Sequence, residues 1–300
     1  MRIPTWVQMR MMFPALLWLA LTVPVHAADG VSRVEYHRFA SKIMQREMRY
    51  AVYLPAEYDV STQKYPVLYY LHGLFGNERQ WEEKGGKAAL DRLIEEKKIA
   101  PVVLIVPDGG NSFYVNSIDG VSPYEDYFVG ELVPAMESAF RIASGRKNRG
   151  ITGLSMGGFG ALTLAMHHPD LFASASAHSA VLIPVPLAEL PERLRQSYQS
   201  QLFSAVFGNP VDEVYWKAHH PIDLVGTAKN LNTVAWYFDC GTEDRYGFHK
   251  GAERLHAVMQ TAGIPHESSL FPGGHGWEYA LTHLSDSLSF HHRQFQNAKK

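Results

Sequence analysis

The chain has 300 residues, 46% of them hydrophobic, and a formal net charge of -2. That is enough apolar content to bury a sizeable core. The near-neutral balance, without a long basic or acidic run, excludes a nucleic-acid binder, a polybasic membrane anchor and an acidic tail. The one cysteine, Cys240, excludes an intrachain disulfide, and a core of this size needs no such staple even in an oxidising compartment.

Arg2 and Arg10 give a positive n-region ahead of an apolar run, Met11 to Val23, that is shorter than the roughly 20 residues of a membrane span. Val25-His26-Ala27 follows as a signal-peptidase site. Residues 1–27 are expected to be a secretory signal peptide cleaved after Ala27, leaving residues 28–300 as a single domain, secreted or periplasmic and without a stable membrane anchor. Val34 to Ala40 and Met48 to Leu54 alternate like paired antiparallel strands. Pro66 to Leu71 and Val102 to Val106 are continuous apolar runs suited to strands buried on both faces. Between them, Asn77 to Ile99 reads as a helix weakened at Gly85-Gly86. Pro107-Asp108-Gly109-Gly110 is a turn.

Ser122-Pro123-Tyr124-Glu125 predicts an N-cap, a first helical position and a capping box for a helix running to about Phe140. A short strand ends near Thr152 and a helix runs from about Ser155 to His168. Further strands are predicted at Phe172 to Ala177, Thr233 to Asp239 and Glu267 to Leu270. Helices are predicted at His249 to Ala262 and Trp277 to Gln296. Strands alternate with helices from Tyr65 onward, which implies an α/β fold: a mostly parallel central sheet with helices on both faces. Val181 to Pro221, with Pro184, Pro186 and Pro191, breaks this rhythm and is expected to be an insertion packed over the sheet edge. Cys240, in the apolar run Trp236 to Cys240, reads as a small core residue.

Gly153-Leu154-Ser155-Met156-Gly157 matches G-x-S-x-G between a predicted strand and a predicted helix. A serine on that sharp turn stands above the sheet, and glycines two residues either side avoid a collision. The turn also frees the Met156 N–H at a helix N-terminus, where it can meet a developing oxyanion. Ser155 is therefore the candidate nucleophile. His275, in Phe271-Pro272-Gly273-Gly274-His275-Gly276-Trp277, lies in a glycine-rich loop after a strand, where open α/β sheets place functional groups. It is the candidate general base.

Most of the 15 histidines read as surface or capping groups. The adjacent pairs His167-His168, His219-His220 and His291-His292 lack the i, i+4 spacing of two ligands on one helix face, so neither a metal nor a cofactor is expected. Asp244 is the candidate acid, just past the strand ending at Cys240-Gly241, with Glu243 second and Asp239, inside the strand, as a further alternative. The order Ser155, Asp244, His275 is that of an α/β-hydrolase triad. Leu71-His72-Gly73-Leu74 follows a buried strand, and the Leu74 N–H is the candidate second oxyanion donor.

These pieces together resemble the esterase D group of α/β-hydrolases, which includes feruloyl and acetyl-xylan esterases, S-formylglutathione hydrolases and mycobacterial mycolyltransferases. The resemblance rests on Leu71-His72-Gly73-Leu74 with Trp81 beyond, Gly153 to Gly158, Gly241-Thr242-Glu243-Asp244 and Gly273-Gly274-His275. Phe207-Gly208-Asn209-Pro210, Tyr215-Trp216-Lys217-Ala218 and Pro221 add to it, so that it spans roughly Arg46 to Leu284. It implies an α/β-hydrolase fold, backbone oxyanion donors at Leu74 and Met156, Asp244 as the acid, and a serine carboxylic ester hydrolase acting through an acyl-enzyme. Its substrate would be a small-molecule or glycan-linked ester. The same scaffold supports an alternative, an acyltransferase of the mycolyltransferase type.

Overall fold

The computed structural model describes residues 30–297 apart from 191, 193–195 and 197–200. The expected signal peptide lies outside the described residues. Among them eight strands form one sheet: β1 (Arg33–Ser41), β2 (Arg46–Leu54), β3 (Val67–Leu71), β4 (Val103–Pro107), β5 (Arg149–Leu154), β6 (Ser174–His178), β7 (Ala235–Gly241) and β8 (Glu267–Phe271). Their order is β1-β2-β4-β3-β5-β6-β7-β8. The first two junctions, β1 with β2 and β2 with β4, are antiparallel. All later junctions are parallel.

The helices are α1 (Gln80–Glu83), α2 (Gly86–Glu95), α3 (Tyr124–Tyr127), α4 (Val133–Ala139), α5 (Met156–His167), α6 (Gln201–Phe207), α7 (Glu213–Lys217), α8 (Pro221–Leu224), α9 (Phe248–Thr261) and α10 (Trp277–Asn297). The period of two along the buried strands distributes them. Leu68, Tyr70, Leu104 and Val106 face a cluster with Leu90, Leu284 and Leu288 of α2 and α10. Val67, Tyr69, Leu71, Val103 and Ile105 face the cluster that holds Phe159 of α5 and Leu255 of α9. The sheet is thus covered on both faces, as its continuous apolar strands require. No described helix is long and apolar enough to cross a membrane.

Several expectations change in detail. The helix expected over Asn77 to Ile99 breaks into α1 and α2, with Gly85 at φ 94° between them. The helix from Ser122 to Phe140 becomes α3, a π-type turn Phe128–Leu132 and α4. Its capping box does not form. Pro123 is the N-cap without a side-chain bond, and Glu125 turns to His167 and His168, each 2.8 Å from its Oε1. Charge-assisted bonds of that kind are stronger than a neutral cap.

Val181 to Pro221 does not lie over a sheet edge. It joins β6 to β7, which pair directly in the interior of the sheet, so the excursion rises from mid-sheet and packs on α5. Phe159 meets Trp216 (5.7 Å between ring centroids) and Phe207 (6.2 Å). Of its apolar residues, Leu182, Ile183, Leu190 and Phe203 are buried, and Leu194 lies outside the described residues.

Four histidines depart from the surface reading: His72, His178, His220 and His291 are buried. His291 sits between the hydroxyls of Ser174 (2.7 Å) and Ser176 (2.8 Å). Burial, and then the neighbouring His178, push its pKa down to about 3, so it stays neutral within the polar layer under α10.

Candidate active site

Ser155 occupies the turn between β5 and α5 at φ 58°, ψ -115°, a strained conformation for a residue with a side chain. Sterics explain the flanking glycines. A Cβ built on Gly157 would collide with the carbonyl of Leu71, and one on Gly153 with the backbone of Gly157. The turn is held by the Ser155 N–H donating to His178 O (2.9 Å) and by Ser155 O accepting from the N–H groups of Phe159 (2.9 Å) and Val181 (3.2 Å).

His275 Nε2 lies 3.0 Å from Ser155 Oγ, and its Nδ1 lies 2.7 Å from Asp244 Oδ2. With Nδ1–H donating to the carboxylate, Nε2 is the acceptor for the serine hydroxyl. Asp244 is buried. Its other oxygen, Oδ1, accepts from the Tyr246 N–H (2.8 Å), and the Cys240 thiol donates to Oδ2 at 3.5 Å. Burial works to raise the Asp244 carboxyl. The bond and charge of His275, with Tyr246 N–H and Cys240, outweigh it and hold the group below its ordinary value.

The two alternatives for the acid are placed elsewhere. Glu243 is exposed. Asp239 is buried beneath the site, bonded to His178 Nδ1 (3.0 Å) and Tyr237 OH (2.8 Å). Cys240 is buried as expected, and burial, then the Asp244 charge, push its thiol well above its usual range.

The loop after β3 abuts the elbow, where a Cβ on Gly73 would lie 3.6 Å from that of Ser155. His72 fixes this loop. The Gly109 N–H donates to its Nε2 (2.9 Å), so Nδ1 carries the proton and donates to Gly73 O (2.8 Å). Leu74 and Met156 both line the cleft that contains Ser155 and His275. Met156 opens α5, so the helix itself leaves its N–H without an acceptor.

That cleft has a volume of about 390 Å³. Phe203 of the apolar excursion lines it, but sequence reasoning missed most of its wall: Phe113, Tyr246, Phe248 and Trp277, with Gln80 and Arg245 as polar members. Two of these stand two residues from a candidate site residue, Tyr246 after Asp244 and Trp277 after His275, and that proximity is the one signal available. Tyr246 meets the His275 ring edge to face at 4.8 Å. A larger hollow of about 530 Å³, bounded by Arg146, Trp236 and Glu267, lies at the opposite, N-terminal ends of β7 and β8. Among the described residues, Glu125, His167 and His219 bring potential metal-ligand atoms within 4.8 Å of one another, at the far end of α5 from Ser155.

The Esterase family model matches residues 41–291. Esterase Rv1288 of Mycobacterium tuberculosis is 31% identical over 270 residues, covering 81% of this chain and 56% of that protein. The chain therefore spans about half the length of this curated relative. The acetyl esterase of Caldicellulosiruptor saccharolyticus is 25% identical, covering 84% of this chain and 95% of its own. Among solved structures, a ferulic acid esterase superposes with a TM-score of 0.73 at 30% identity, covering 88% of this chain and 98% of that one.

The depressed Asp244 carboxyl has a consequence for stability. Its contribution is complete above the unfolded value of about 3.9 and is lost as pH falls through the lower folded value. Urea unfolding of wild type and Asp244→Asn should therefore show a stability gap at pH 5 that narrows as pH drops below about 4. A gap unchanged between pH 5 and pH 3 would mean that Asp244 is not stabilised as a carboxylate.

Proposed function

The chain belongs to the Esterase family, and from that premise we propose that it hydrolyses carboxylic esters through an acyl-enzyme on Ser155. The observation that carries this reading is the hydrogen-bonded series Ser155 Oγ, His275, Asp244 opening on a cleft. Ser155 Oγ attacks the ester carbonyl carbon while His275 Nε2 takes its proton. Asp244 holds the imidazole in the required tautomer and stabilises the imidazolium. The N–H groups of Leu74 and Met156 receive the oxyanion. His275 then protonates the leaving alcohol, and water, activated by the same nitrogen, releases the acid.

Ser155→Ala should lower kcat by several orders of magnitude in a folded protein and abolish fluorophosphonate labelling. Asp244→Asn should cost about 10⁴-fold. The exposed Glu243 should tolerate Gln with nearly full turnover, and the reverse ranking would move the acid to Glu243. Product analysis with and without an acceptor alcohol checks that water is the acyl acceptor.

The volume of the cleft is at the lower end for small-molecule sites, and its walls are largely aromatic. It suits a short acyl group or a single aromatic ring, in keeping with the names of two relatives, an acetyl esterase and a ferulic acid esterase. A small-molecule or glycan-linked ester of this kind is the proposed substrate class. Across p-nitrophenyl esters from acetyl to palmitoyl, kcat/KM should peak at butyryl or shorter. A maximum at decanoyl or longer would point to a lipase-like groove and would favour acyl transfer.

Export through a signal peptide at residues 1–27, with residues 28–300 as the single catalytic domain, completes the proposal. The order of that segment, basic, then apolar, then a small-residue cleavage site, supports it. N-terminal sequencing of the exported protein should begin at Ala28, and a mature chain still starting at Met1 would refute it.

A further inference from the structure

We propose that Glu125, His167 and His219 form a binding site for a divalent transition-metal ion, with Zn²⁺ the fitting occupant, at the end of α5 remote from Ser155. The three side chains come from three segments. Glu125 is in α3, His167 is the last residue of α5, and His219 lies between α7 and α8. Their ligand atoms stand within 4.8 Å of one another. Tetrahedral ligands at Zn–N and Zn–O distances near about 2.0 Å are about 3.3 Å apart, so modest side-chain adjustment closes the set. Glu125 is buried, and the two imidazoles are half-buried. One carboxylate and two imidazoles suit zinc, with a fourth position left for water.

The tautomers strengthen the assignment. His219 Nδ1 is 2.7 Å from Tyr215 O, and a carbonyl only accepts, so Nδ1 carries the proton and Nε2 is the nitrogen left for a ligand role. His167 Nε2 is likewise 2.8 Å from Ala218 O, which directs Nδ1 at Glu125 Oε1, also 2.8 Å away. Both rings are therefore oriented by backbone carbonyls through their distal nitrogens, the arrangement that fixes metal-ligating histidines. His168 adds a contact of 2.8 Å from its Nε2 to Glu125 Oε1 and orients the carboxylate. In the metal-free chain a proton lies between His167 and Glu125, and a bound Zn²⁺ would displace it.

The site would act as a clamp. Along α5, Met156 and His167 are separated by about 17 Å at about 1.5 Å per residue, which places the ion well away from the chemistry. Its ligand His219 meets the Tyr215 ring at a tilt, with centroids 4.3 Å apart, and the adjoining Trp216 meets Phe203 at 5.9 Å. Phe203 is a wall of the cleft. A metal at Glu125, His167 and His219 would thus tie the β6–β7 excursion to α5 and hold that wall in place.

The test is calorimetric titration of ZnCl2 into the chelator-dialysed protein, with melting curves alongside. Two further histidines, His256 and His266, stand 2.8 Å apart at another surface, so His256→Ala is the control for adventitious zinc. We expect one site of micromolar or tighter affinity and a zinc-dependent rise in Tm. Both should be lost or weakened at least about tenfold in His219→Ala and Glu125→Gln and kept in His256→Ala. His219→Ala removes a half-buried ring and serves if Glu125→Gln fails to fold. Absence of stoichiometric binding below about 100 µM, or an isotherm unchanged in His219→Ala, would overturn the proposal and leave the cluster as a hydrogen-bonded knot.

Discussion

Backbone meets backbone where β3, β5 and α5 converge, and the rest of the site is arranged around that approach. Helix α5 can start directly above β3 only if nothing projects from Gly157 toward the Leu71 carbonyl. The same approach forces the turn before it, placing Ser155 at a positive φ with its hydroxyl raised above the sheet. It also brings the loop after β3 against the elbow, so Leu74 and Met156 border one cleft. The proposed nucleophile and the proposed oxyanion donors are consequently a single geometric event. Their relative positions are fixed by packing before any substrate arrives, which is what electrostatic preorganisation requires.

Under that elbow lies a second series of the same residue types. His178 stands 3.0 Å from Asp239 through Nδ1 and 2.8 Å from Ser287 Oγ through Nε2. Composition and spacing alone would make it a triad. Two facts separate it from Ser155, His275 and Asp244. All three members are buried, and the Ser287 hydroxyl donates to Leu284 O at 3.1 Å, so its proton is directed away from the imidazole. Its work is positional. It joins β6, β7 and α10, and the carbonyl of His178 anchors the Ser155 N–H. Asp239, one of the candidate acids, is thereby committed to holding the floor of the site.

The parts legible in the sequence were those imposed by local rules. Buried strands β3 and β4 announced themselves as unbroken apolar runs, and β5-Ser155-α5 as two glycines flanking a serine. The Asp244 and Glu243 ambiguity was real, because adjacent residues past a strand end differ only in which way the turn directs them. What settles their positions is non-local: Cys240 below, His275 opposite, and the turn that gives Asp244 the Tyr246 N–H. The aromatic walls were hidden for the same reason. Phe113 and Phe248 come from a loop and a helix far apart in the chain and share a cleft only after the sheet has ordered them. Glu125 shows a local rule losing outright. Its capping-box spacing was correct, but two imidazoles arriving from the end of α5 offered stronger partners than a backbone amide.

The histidine pairs carry that argument further. Judged by helix periodicity, His167-His168 and His219-His220 could not place two ligands on one face. The fold divides the second pair between different tasks, while His167 and His168 both reach Glu125 Oε1. His220 turns inward, bonding Asp223 Oδ2 at 2.7 Å and accepting the Ile183 N–H at 3.1 Å, while His219 turns toward His167, with ring centroids 5.2 Å apart. Adjacent residues following a short helix can point in different directions, so one of the pair can close a cluster built from separate segments. A spacing rule detects ligands that share an element. It is blind to ligands that share only a place in the fold, and the same blindness applies to Ser155, Asp244 and His275, which are found together because motif context, rather than spacing, marks each of them.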